Sequence, residues 1–367
     1  MNMILFRYML KQFFAIFLAT LFVLTFIILM FDMIELLRSA SKRETFAFLD
    51  IALLAVLKSP QMIHIILPFV TLLATIIFLF RFNRTSELII MRSIGLSVWN
   101  FTLPIILVSF FIGVFDITIF NPFAAMTAKK YERVEEQVGM TSKNPFSFSE
   151  KGLWLREQKG ENTIVVRAGR VRQTGKKDVM LDNVSIFEIT PDETLSRQLE
   201  ASEASLKNGF LTLTDAFEMD PQNETSGPIK IAAFETDFNL DRILERFDEP
   251  NTMSFWKFPS FIRFLKESGF NTAEHKMYWY SLIFFPFLLV AMALVGIVFT
   301  LPPTNRQGGA LLRLIGALAC GFLLFFVTRV TGVLGMSHNL PMILGAVGPM
   351  LISIPLCITA LLHLEDG

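Results

Sequence analysis

From Phe13 to Phe31 the chain carries no formal charge, and Ser59–Phe80 and Ser93–Phe115 repeat the pattern. After a long polar middle, Met277–Asn305 and Asn339–Leu362 return to it, with a weaker apolar segment between them. A helix needs about 20 apolar residues to cross roughly 30 Å of hydrocarbon. The layout therefore predicts an α-helical membrane protein with six transmembrane helices, three on either side of an extramembrane insert. The first three spans are expected near 10–36, 57–80 and 96–120.

About two-thirds of the charged residues lie between 125 and 275, as expected if that stretch alone is fully solvated. Basic and acidic residues balance at 33 each, so no polybasic segment points to nucleic acid. Phe31 is followed by Asp32, Glu35 and Arg38 rather than by small residues suited to cleavage, which favours a first span over a secretory signal. Both cysteines, Cys320 and Cys357, fall in apolar segments, so the insert is expected to fold without disulfides.

Orientation follows from Lys and Arg in short loops. With the N-terminus inside, the cytoplasmic side holds Arg7, Lys11, Arg81, Arg84, Arg92, Arg306 and Arg313, against Arg38, Lys42, Arg43 and Lys58 opposite. Both termini are then cytoplasmic, and the insert faces a periplasm-like space.

Ala124–Val138 continues the third span as an amphipathic helix. Beyond Gly139 the period becomes two, in Thr163–Gly169, Val179–Ile189 and Phe210–Thr214, with turn clusters at Gly175–Asp178, Pro191-Asp192 and Lys207–Gly209. Short strands without helices predict an all-β, jellyroll-like insert built as an antiparallel sandwich or half-sandwich. Helical spacing returns at Pro259–Ser268. The resulting divisions are 1–123 (spans one to three), 124–275 (the β domain) and 276–367 (spans four to six). Arg313 and Arg329 sit too close together for a full span between them. Arg329 is the better candidate for a cation at or inside the membrane boundary, facing a cavity or snorkelling to the interface.

Chemistry of the enzymatic kind is missing. No phosphate-cradling G-x-x-x-x-G-K-[ST] or nucleophile G-x-S-x-G occurs, and His64, His275, His338 and His363 are scattered. A role that draws energy from another chain fits better. The loop between spans two and three, at 84–95, can receive it. Thr85 or Asn83 can cap a short helix, Glu87 suits its first turn, Leu88 and Met91 share a side, and Gly95 suits its end. Such a helix either docks on an ATPase or rests among lipid headgroups.

The three-plus-three layout with Thr85-Ser-Glu-Leu-Ile-Ile-Met-Arg-Ser-Ile-Gly95 resembles the lipopolysaccharide-export permeases of the LptF/LptG family. Phe261–Gly269 and Leu340–Pro349 match the LptG side of that family. The resemblance implies one permease subunit of an ABC exporter, with no catalysis and no cofactor of its own, ATP being bound by a separate ATPase. It implies a cytoplasmic ATPase dimer, a paralogous permease and a single-span periplasmic jellyroll subunit whose helix inserts beside span one. It also implies an inner-membrane location in a Gram-negative bacterium, with lipopolysaccharide passed to a periplasmic jellyroll bridge. Carried onto this loop, the ATPase-coupling residues are Arg84, Ser86, Glu87, Leu88, Met91 and Arg92, with Glu87 matching the family's contacting glutamate.

A lipid A site needs an apolar wall below a basic rim. Span one offers Phe22, Phe26, Leu29 and Met33 at helical spacing, with Arg38, Lys42 and Arg43 above; Lys129, Lys130 and Arg133 follow span three, and Arg329 adds a cation in span five. Ordinary helix packing accounts equally for the apolar stripe, and a solvated membrane rim for the cations. The family carries a lysine near the position of Asp32. A carboxylate there repels phosphate, so Asp32 is expected to pair with a base such as Arg38 or to turn away. Two other readings of the chain are a permease of another lipid or lipoprotein ABC system and a non-transporting envelope assembly scaffold.

Overall fold

The computed structural model describes residues 3–40, 48–85, 87–93, 95, 97–137, 146–149, 152–159, 162–173, 179–190, 195–207, 210–220, 223–235, 250–267, 272–301, 309–337 and 340–366. Among the described residues six helical stretches are long and apolar enough to cross a membrane, three before and three after a β insert. They are α1 (Met3–Ala40), α2 (Phe48–Arg84), and the stretch formed by α4 (Trp99–Phe115) with α5 (Asn121–Gln137). After the insert come α7 (Ala273–Thr300), α8 (Gly309–Met336) and α9 (Met342–Asp366). Between them α3 (Glu87–Ser93) and α6 (Phe258–Glu267) are short. The helices overrun the charge-free segments because a helix, once nucleated, extends into solvent at little cost. The amphipathic continuation of the third span forms as expected.

Two compact units divide the chain. One holds Met1–Val138, Asn251–Phe258 and Ala273–Gly367; the other holds Gly139–Pro250 and Pro259–Thr272. The ends of the expected β division, 124–137 and 273–275, thus cluster with the membrane helices.

Within the membrane unit α7 is the hub, packed against α2, α4, α8 and α9. Its most apolar stretch is 72% buried, against 17% for those of α1 and α8. Close approach to α7 is set by a small residue: a Cβ on Gly113 of α4 would lie 2.5 Å from the Pro286 Cα. On the opposite flank Phe13 of α1 meets the edge of Phe78 in α2, and Phe78 meets Phe82. Such aromatic pairs add about 0.5–1.5 kcal/mol beyond burial alone.

Among the described residues the β unit is one antiparallel sheet of seven strands, each beside its sequence neighbours: β1 (Phe146–Ser149), β2 (Gly152–Lys159), β3 (Asn162–Gln173), β4 (Val179–Ile189), β5 (Leu195–Lys207), β6 (Phe210–Asp220) and β7 (Asn223–Glu235). The expected turn clusters fall largely outside the described residues. One face forms the core, with Leu181, Ile186, Leu199, Leu206 and Leu213 covered by Phe261 and Leu265 of α6. A helix over one face of a single sheet is the half-sandwich form of the expectation.

A crease runs across this sheet. Asn183 and Asp215 have φ of 53° and 52°, and pairing skips them: Ala168 faces Val184 while Arg170 faces Asp182, and Ala201 faces Ala216 while Glu203 faces Thr214. Inward positions therefore step by three, from Leu181 to Val184 in β4, from Ala201 to Ala204 in β5 and from Leu213 to Ala216 in β6. Asn and Asp tolerate the left-handed region better than other side chains. The strict alternation seen in the sequence breaks at that line.

Gly113→Ala is expected to lower stability by about 1–3 kcal/mol through overpacking. Gly348→Ala in α9, where nothing lies within 4 Å of the new methyl, should be neutral or gain about 0.5–1 kcal/mol from helix propensity. Thermal unfolding of the two variants in detergent measures the contrast.

Candidate functional site

The loop between the second and third spans forms a helix shorter than 84–95, running from Glu87 to Ser93. Both expected caps have partners at the end of α2 or beyond it. Asn83 donates to Thr300 O at 3.1 Å, and the Thr85 hydroxyl lies within bonding distance of Arg81 O and Phe82 O at the end of α2. That hydroxyl also lies 3.0 Å from Glu87 Oε1, and Tyr8 of α1 reaches Glu87 Oε2 at 3.5 Å. Gly95, with φ of 79°, adopts the left-handed terminator conformation expected of it. Met91 is buried, whereas Ile90, which spacing did not single out, is 57% exposed. Arg84 is exposed, Leu88 and Arg92 are placed by backbone alone, and Ser86 lies outside the described residues.

On α1 the expected apolar wall is open. Phe22 and Phe26 are exposed and stack on each other at 6.5 Å, while Leu29 and Met33 are half-buried. Arg38 is exposed a turn and a half above Asp32; Lys42 and Arg43 lie outside the described residues. Lys129 is half-buried on α5, with Lys130 and Arg133 exposed. Arg329 is exposed on α8 and rests its guanidinium 5.1 Å from the centre of the Phe325 ring.

Asp32 pairs with Lys58 of α2 at 2.6 Å rather than with Arg38. Lys58 stands one helix over, at the level where α1 carries its carboxylate. Local charge is therefore balanced between helices and not along one.

A second polar site lies deeper, and sequence spacing did not reveal it. His64 Nδ1 of α2 lies 2.6 Å from Asp116 Oδ2, whose side chain is 3% exposed, and the imidazole stacks on Phe285 of α7 at 4.4 Å. Asp116 opens a π-helical turn, Asp116–Phe120, in which Asn121 N–H donates to the carbonyl five residues back. Such turns widen a helix and leave carbonyls seeking donors. Trp256 Nε1 supplies one to Thr118 O at 3.2 Å, and Phe255 N–H donates to Asn121 Oδ1 at 2.8 Å. The available signal was Asp116 itself, the one charge within 96–120. An ionisable residue inside a span demands a partner, and scattered histidines fail as a metal set without failing as such partners. Among the described residues no group of three or more His, Cys, Asp or Glu could hold a metal ion.

Residues 7–363 match the family described as lipopolysaccharide export system permease LptF/LptG. The chain is similar to the lipopolysaccharide export system permease protein LptG of Escherichia coli strain K12, 23% identical over 355 residues, which are 94% of this chain and 93% of that protein. It is 25% identical over 360 residues to the LptG protein of Haemophilus influenzae, covering 95% of each.

Removing one partner of a buried pair leaves the other stranded, at a cost of about 3–5 kcal/mol. His64→Leu and Asp116→Leu should each destabilise on that scale, while the two together should recover most of the loss. A double-mutant cycle from thermal unfolding in detergent reads the coupling; additive effects would show that the two side chains do not depend on one another.

Proposed function

Because the chain belongs to the lipopolysaccharide export system permease family LptF/LptG, we propose that it is the LptG-type membrane subunit of an ABC exporter. It is a transporter component of the inner membrane of a Gram-negative bacterium and not itself an enzyme. It pairs with a paralogous permease around a cavity for lipopolysaccharide. A cytoplasmic ATPase dimer supplies energy, one copy gripping α3. A single-span periplasmic subunit docks beside α1. Both termini are cytoplasmic, and the seven-stranded domain contributes to a periplasmic jellyroll bridge that receives the lipid.

The observation that carries this reading is the open face of α1. Phe22 and Phe26 present an aromatic wall with Arg38 above it. Acyl chains need apolar surface and lipid A phosphates need cations, and α1 offers both in vertical order. Lys130 and Arg133 add exposed cations to the same unit. The low burial of α1 and α8 leaves surface for a second permease and for lipid.

Energy enters through α3. Glu87 lies within bonding distance of Thr85 and Tyr8, so it ties the loop to α1 as well as meeting an ATPase groove. Glu87→Arg replaces that acceptor with a cation facing a basic partner. Pull-down of the ATPase from native membranes is expected to fall by an amount equivalent to about 2–5 kcal/mol at the interface. Undiminished recovery of the ATPase would remove α3 as the coupling element and favour the scaffold reading.

A further inference from the structure

Beneath the rim, α1 and α2 enclose a narrow crevice lined by Thr25, Leu29, Asp32, Ser59 and Met62 among others. Its free volume is about 10 Å³, room for roughly one water-sized group. The Asp32 side chain is only 9% exposed. Lys58 occupies Oδ1, but among the described residues Oδ2 is buried without a partner, and so is Thr25 Oγ1 two helical turns away along the same crevice. Ser59 spends its hydroxyl proton on Val56 O at 2.8 Å.

A buried carboxylate oxygen left unmatched is expensive, more so than a neutral acceptor. Such an atom in a native protein calls for an explanation, and a donor that arrives from outside the chain supplies one. The chemistry fixes which donor fits. The position next to Oδ2 accepts hydrogen bonds and offers none, so it repels phosphate and takes a hydroxyl or an ammonium group. Lys58 neutralises the pair without filling that position.

We propose that Asp32, held in place by Lys58, is a headgroup-reading residue that accepts a hydrogen bond through Oδ2 from a hydroxyl or ammonium group of the exported glycolipid. This rests on the lipid-export reading and adds to it a recognition element of the opposite sign to the cationic rim. Phosphates are held above by cations, while a donor on the sugar or its amine substituent is read by the carboxylate in the α1–α2 crevice. Thr25 provides a second acceptor deeper in the same crevice. Discrimination follows, because a lipid that carries a donor gains a charge-assisted hydrogen bond at Oδ2 that a lipid without one does not.

The test uses the complete complex of both permeases and the ATPase in nanodiscs. The probes are purified lipopolysaccharide and the same material with its hydroxyl and amine groups acetylated. The reading is the lipid concentration that half-maximally stimulates ATP hydrolysis. Asp32→Asn combined with Lys58→Gln removes both charges while keeping the shapes, so neither is left unpaired; Thr25→Val leaves the ion pair untouched.

With native lipid, the double change should raise the half-maximal concentration about fivefold, the difference between a charge-assisted and a neutral hydrogen bond. Thr25→Val should raise it about twofold to threefold, and Thr25→Ser should restore it. With acetylated lipid the unaltered complex should already be weakened, and none of the changes should weaken it further. Equal shifts with both lipids, or no shift with either, would make the crevice a structural water site and overturn the proposal while leaving the export reading intact. An unaltered complex that responds to neither lipid would instead bring down the export reading, and this proposal with it.

Discussion

Hydrocarbon offers no hydrogen bonds, so every polar group carried into the membrane must find its partner within the chain or in a ligand. The placement of the helices follows from that constraint. His64 and Asp116 meet between α2 and the third span, and Phe285 of α7 closes over the imidazole. The three elements joined there belong to the best-packed part of the bundle, where Gly113 lets α4 approach Pro286. The π turn that begins at Asp116 disturbs the backbone, and the 250–257 segment returning from the β domain repairs it through Trp256 and Phe255. Residues Asn251–Phe258 are therefore part of the membrane unit.

Nearer the rim the same constraint gives a different outcome. Asp32 obtains one partner, Lys58, and keeps one oxygen unmatched. Deep pairs that close on themselves serve stability; a shallow pair that closes only in part leaves capacity for something that arrives. α1 combines both roles. Its Met9, Phe13 and Phe17 side is buried, while Phe22 and Phe26 are open. Tyr8 brings its N-terminal end within reach of Glu87, so the helix with the exposed aromatic wall also touches the loop proposed to receive the ATPase stroke.

Much of this was legible in the residues, because membrane spans depend on composition over long windows rather than on fine spacing. The six spans, the amphipathic continuation after Asn121-Pro122 and the all-β insert all follow from such averages. Gly95 was readable because only a left-handed terminator suits it. What escaped depends on pairings between distant residues. Lys58 rather than Arg38 meets Asp32 since the partner comes from a neighbouring helix, which helical spacing along α1 cannot reveal. Met91 turns inward and Ile90 outward because a helix as short as Glu87–Ser93 takes its facing from the chain ends that hold it. In the sheet, the left-handed residues Asn183 and Asp215 shift the inward register, and a strict two-residue period hides them. Strands β1, β2, β5 and β7 escaped too; β5, for one, is rich in charged and small residues whose burial is decided by neighbouring strands.

The central claim is that the open face of α1 carries lipopolysaccharide under a cationic rim. Photocrosslinking in living cells tests it most directly, with a photoreactive amino acid at Arg38 and, as a lipid-remote comparison, at Phe14 near the other end of the same helix. The account predicts a lipopolysaccharide adduct at position 38 that requires an active ATPase, and none at position 14. Adducts of ordinary phospholipid alone at both positions, with lipopolysaccharide at neither, would contradict it.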